Sequence, residues 1–115
     1  MTMKEEDPTK IATMVIIHAG NARSLINEAI QLVEKNDDVL AKAKLEQANV
    51  EIRSAHKTQT ELIQSEARGE NLQITMLLTH AQDSLMVAMS EVYMAKHIIK
   101  LHNRVHQLEK ALAGK

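Results

Sequence analysis

The chain contains no cysteine, no tryptophan and no phenylalanine; a single tyrosine, Tyr93, is its whole aromatic content. Without cysteine there is no disulfide framework, no thiolate zinc site and no thiol nucleophile. One proline and three glycines among 115 residues punctuate it too sparsely for a protein of many short strands. Nor is there an excess of charge of either sign: 14 Lys+Arg against 15 Asp+Glu leave a net charge of -1. That removes the basic field by which a protein holds nucleic acid or an anionic membrane, so no nucleic-acid partner is expected. Apolar runs are only a few residues long, as in Met14-Val-Ile-Ile17, against the roughly 20 needed to span a bilayer. The opening residues are charged and do not read as a signal peptide, which points to a cytoplasmic address.

What is present is aliphatic and periodic. A core must be built from Leu, Ile, Val, Ala and the seven Met, and a chain of this length makes one domain, here 1–115. Asp7 before Pro8 reads as an N-cap. Ile11, Val15, Ala22, Ile26, Ala29 and Val33 then recur at helical steps, predicting a first helix over about 8 to 35. After the turn formers Lys35-Asn-Asp-Asp38, either Asp37 or Asp38 can cap a second helix. Its stripe is Ala41, Leu45, Ala48, Ile52, Ala55, Gln59 and Leu62. Arg68-Gly-Glu-Asn71 is the second break, with Gly69 suited to a left-handed C-cap, and the chain then reads helical to Gly114. The third helix is the longest, and connections this short predict an all-α, antiparallel up-down-up three-helix bundle.

The third helix is apolar on two sides. Leu78, Ala81, Leu85, Ala88, Val92 and Ile99 form one, while Met76, Val87, Met94 and Leu101 form another with Asp83 and Ser90 among them. Two apolar sides imply two sets of partners, so self-association through this helix is expected. Asp83 then lies either inside that contact or in water at its edge.

Six histidines are the candidate nucleophiles and ligands: His18, His56, His80, His97, His102 and His106. A neutral imidazole, the major form at pH 7, can attack phosphorus or accept a proton. His102, His106 and Glu109 share one helix face at metal-ligand spacing, yet with Lys100 before them and Arg104 among them, and no fourth ligand nearby, they read as a solvated surface more than a metal site. His56, one turn before Gln59, reads as a packed, hydrogen-bonded polar pair. His80 stands apart, with Asp83 and Ser84 one turn on and Gln73 and Met76 one to two turns back, beside the proposed association seam. A histidine at the edge of a bundle has the same spacing, so periodicity alone leaves both readings open. Gly20 inside the first helix, beside Arg23-Ser24, suggests close backbone approach between helices. No phosphate-binding loop, dinucleotide fingerprint or HExxH motif occurs.

At His80-Ala-Gln-Asp-Ser-Leu-Met86 the sequence resembles the lactose/cellobiose-type enzyme IIA family of the bacterial sugar phosphotransferase system. His18-Ala-Gly-Asn-Ala-Arg-Ser24 and Ala55-His-Lys-Thr-Gln-Thr60, continuing to Ala67, agree with it on the other two helices. The resemblance implies a homotrimer of three-helix bundles acting as a phosphocarrier. The histidine phosphocarrier protein would phosphorylate His80, and His80 would pass the group to a cysteine of a IIB component as the membrane IIC component imports a β-linked disaccharide. It matches Asp83 to a carboxylate that meets its symmetry mates at the trimer axis, often around a metal ion; oxygen ligands there would favour magnesium or calcium. Transfer itself would need no cofactor. Gln82 matches the motif glutamine, expected near the active site or subunit contact. The chain departs from the family pattern at Ser84, where a second histidine is usual, and Ala81 leans toward cellobiose or chitobiose. A helical adaptor with incidental histidines and a metal-binding bundle are the competing readings.

Overall fold

The computed structural model describes residues 8–70 and 75–114; Asp7 and Gln73, singled out above, lie outside them. Three helices follow one another, α1 (Pro8–Glu34), α2 (Asp38–Ala67) and α3 (Met76–Ala113), with no strand among the described residues. At 38 residues α3 is the longest. The particle is a rod of 68 × 22 × 19 Å. No helix of the described residues is long and apolar enough to cross a membrane.

Both described turns use one device. At the end of α1, Asn36 takes φ 64°, and the amides of Asn36 and Asp37 donate back to Val33 O and Leu32 O at 2.8 and 2.9 Å. At the end of α2, Gly69 takes φ 86°, and Gly69 and Glu70 donate to Glu66 O and Ser65 O at 3.0 and 3.1 Å. Each is a left-handed closure that satisfies the last carbonyls of its helix. Asp37, the next residue, accepts from Leu40 N at 3.2 Å and so caps α2, which decides between the two aspartates. Thr75 does the same for α3, its hydroxyl accepting from Leu78 N at 3.1 Å.

The core is aliphatic and rich in alanine. The expected stripes are buried on α1 and α3, Ile99 being half-buried at the end of its row, with Ala12, Ala19 and Ala95 added to them. On α2 the buried set is Ala41, Ala48, Ile52, Ala55 and Leu62, whereas Leu45 and Gln59 are only half-covered. Ser65, which the apolar pattern passes over, is fully buried, and its hydroxyl accepts from Arg68 Nη2 at 3.0 Å. A small row of alanines lets backbones approach closely, and larger residues such as Leu85, 0% exposed, fill what remains. Between helices, His18 meets Glu51 and Lys44 meets Glu28 at 3.2 Å, while Arg23 reaches Glu91 on α3.

Candidate functional site

The first turns of α3 set out the candidate site. Leu78, Ala81 and Leu85 are buried, and that inward row turns His80, Asp83 and Val87, at positions i, i+3 and i+7, outward on one face. All three are exposed. Met76, one turn before His80, is 89% exposed, and Met94 and Leu101 continue the row. The imidazole therefore stands on an open, largely apolar surface with a carboxylate one turn away. Neither His80 nor Asp83 has a side-chain partner among the described residues.

Ser84 shares the face but its hydroxyl donates to His80 O at 2.9 Å. That back-bond to the helix carbonyl occupies the donor and directs it away from the ring. Gln82 is half-buried and, two residues on, lies roughly 160° round the helix from His80. Within one chain the site is thus His80, Asp83 and the apolar row, with Gln82 on another side.

Other expectations are corrected. His56 is exposed and makes no hydrogen bond to Gln59; their one-turn spacing puts His56 outside the buried edge where Gln59 sits. For His102, His106 and Glu109 a solvated surface is expected over a metal site, and no group of three or more His, Asp or Glu is placed to hold an ion among the described residues. His102 packs inward, its Nε2 buried without a partner, while Glu109 is exposed. Gly20 is exposed, and among the described residues nothing stands within 4 Å of where a Cβ would be, so no described helix approaches it.

Three polar pairings, Lys44–Glu28 among them, escaped sequence reasoning because they join residues far apart in the chain. His18 Nδ1 lies 2.5 Å from Glu51 Oε2 in the α1–α2 groove. Arg23 grips Glu91 in a fork, Nε to both carboxylate oxygens at 3.2 and 3.0 Å and Nη2 to Oε1 at 2.9 Å. The hydrogen bond to Glu91, then its charge, raises the guanidinium pKa above its ordinary value. The pair bridges a groove of about 500 Å³ between α1 and α3, lined also by Ile30, Met94 and Ile98. In the sequence Arg23 stands out only as a neighbour of Gly20.

Fold and site together define a small helical protein that offers an imidazole on a surface instead of enclosing a substrate. Comparison with known proteins narrows this. The family profile described as PTS system, Lactose/Cellobiose specific IIA subunit matches residues 10–103. The lichenan-specific phosphotransferase enzyme IIA component of Bacillus subtilis (strain 168) is 44% identical over 100 residues, 87% of this chain and 91% of that protein. The crystal structure of the PTS cellobiose-specific enzyme IIA from Bacillus anthracis superposes with TM-score 0.83 at 40% identity, covering 93% of this chain and 94% of that one. The IIA(Chitobiose) of the solution IIA(Chitobiose)–HPr complex gives TM-score 0.78 at 30% identity over 88% of this chain and 98% of that one. The chain belongs to the lactose/cellobiose-specific IIA family of the phosphotransferase system, a family of phosphotransfer components.

Proposed function

We propose that this chain is a phosphocarrier that takes a phosphoryl group on His80 from the histidine phosphocarrier protein and gives it to a cysteine of a cognate IIB component, serving uptake of a β-linked disaccharide through a membrane IIC component. The observation that carries the reading is an exposed imidazole, unpartnered among the described residues, with Asp83 one turn on, on an apolar surface. In the first step a His80 ring nitrogen attacks phosphorus as the bond to the donor's histidine breaks. In the second a thiolate attacks the same phosphorus and His80 leaves as neutral imidazole. Neither step needs the sugar to touch this chain. The IIA–HPr complex in which a relative was solved supports the choice of donor.

In this reading the chain is one cytoplasmic domain and an up-down-up bundle: on α1 and α2, residue 28 pairs with 44 and residue 18 with 51, the order expected of antiparallel neighbours. Three copies associate through the exposed side of α3, where Met76, Val87, Met94 and Leu101 otherwise meet water. Asp83 then converges on the axis three times over. Three crowded carboxylates must share protons or recruit a cation, and an all-oxygen set suits magnesium or calcium. Asp83 is the residue that would hold such an ion, which would neutralise the cluster; Ser84 stands one turn from His80, and Gln82, on another side of the helix in its own chain, would act at a subunit contact.

Incubation with phosphoenolpyruvate, enzyme I and the histidine phosphocarrier protein tests the reading. One acid-labile, alkali-stable phosphate per chain is expected. Its absence would leave a helical adaptor.

A further inference from the structure

A second surface lies beside the start of α2. Between it and the middle of α3, residues 96–103, runs an open groove of about 320 Å³. Its floor is Ala41, Leu45 and Ile99, the outer side of the small core cluster around Ala29 and Val33. Its rim carries Lys42, Lys96 and Lys100. These lysines make no ion pair among the described residues, where the cations in such pairs are His18, Arg23, Lys44 and Arg68. The groove's one carboxylate is Asp38, in the first turn of α2, where the helix N-terminus already offsets part of its charge. An apolar floor bordered by three unneutralised ammonium groups is therefore a feature of one sign on a chain whose net charge is only -1.

We propose that this groove docks an acidic amphipathic helix of another protein, its apolar anchors on Ala41, Leu45 and Ile99 and its flanking Asp or Glu against Lys42, Lys96 and Lys100. The lysine rim selects the charge: opposite potentials steer association and reject cationic partners. The shape selects a helix. The groove spans 38–45 on α2 and 96–103 on α3, about 10 Å on each side, or two turns, which accommodates anchors at i, i+3 or i+4, and i+7. Open along its length, it suits a laid-in rod better than an enclosed small molecule.

The surface is separate from the one around His80. Lys96 is sixteen residues beyond His80, about 24 Å along the helix. It also lies on the opposite side of α3 from Met94, Leu101 and Val105, so self-association through that row leaves the groove open. A docked helix and a phosphoryl partner can be held at once.

The test titrates the full-length protein, labelled for amide NMR, with three probes. They are a short synthetic helix with leucines at i, i+3 and i+7 flanked by glutamates, the same helix with lysines for the glutamates, and sodium decanoate. The acidic helix should shift amides of 38–45 and 96–103, bind at least about tenfold more tightly than the basic one, and weaken with salt. Lys42→Glu with Lys100→Glu, both exposed, should reverse the preference while His80 phosphorylation continues at wild-type stoichiometry. Equal binding of both helices, shifts confined to the His80 face, or response to decanoate alone would overturn the proposal.

Discussion

His80, Arg23 and Ser65 show three ways a polar residue is accommodated in this chain. His80 is left in solvent without a partner, Arg23 is gripped across helices by Glu91, and Ser65 is sealed inside with its oxygen capped by Arg68. In the proposed function, reactivity belongs to the first. His80→Ala should keep its helical circular dichroism and lose phosphorylation; full stoichiometry in the variant would move the acceptor to His56, which is exposed, or to His18, which is tied to Glu51. Ser84→Ala should phosphorylate to wild-type stoichiometry, because the hydroxyl is directed at His80 O and not at the ring. A large loss in that variant would show that the hydroxyl turns toward the phosphoryl group during transfer.

At the scale of elements, helix ends are sharper than periodicity alone could draw them. Lys35-Asn-Asp-Asp38 announces a turn, but hydrogen bonding assigns Asn36 the left-handed position and Asp37 the cap of the next helix. Gly69 was legible because at φ 86° a residue without Cβ avoids the strain of a left-handed backbone. Nothing stands within 4 Å of a Cβ built there, so Gly69→Ala should cost about 1 kcal/mol from backbone conformation alone, read as a lower urea midpoint. Leu85, fully buried in the middle of the α3 inward row, should cost about 2–5 kcal/mol on truncation to alanine, since rigid neighbours leave a cavity behind. Ser65 and the extra alanines were illegible for a simple reason: small residues carry little hydrophobic signal, yet they are buried wherever helices come closest.

For the molecule as a whole, the question is what covers the outward row of α3. Met76, Leu101, Leu108 and Leu112 are each at least 60% exposed, an apolar line that none of the described residues covers. Light scattering at micromolar concentration should give a trimer, and Val87→Glu should impair assembly or phosphoryl transfer by placing a charge beside His80 and Asp83; normal behaviour in both assays would place the contact elsewhere. Asp83→Leu should remain trimeric and lose any response to chelator, because an apolar residue of similar size removes the repulsion together with the need for an ion. A wild-type trimer indifferent to chelator and divalent ions would point to shared protons, and a wild-type monomer would defeat the arrangement.

Composition and period by themselves determined the class and the register: aliphatic residues at three- and four-residue steps can bury themselves only as helices, and two turn clusters divide them into three. They also set His80 and Asp83 on one face, because i and i+3 share a side of any helix, while the family resemblance marked that face as the candidate site. Tertiary structure alone decided which polar groups are taken. Glu91 for Arg23, Glu51 for His18 and the lysine-rimmed groove join helices far apart in sequence, and such pairings depend on how helices rotate and slide against one another, which no single helix's periodicity encodes.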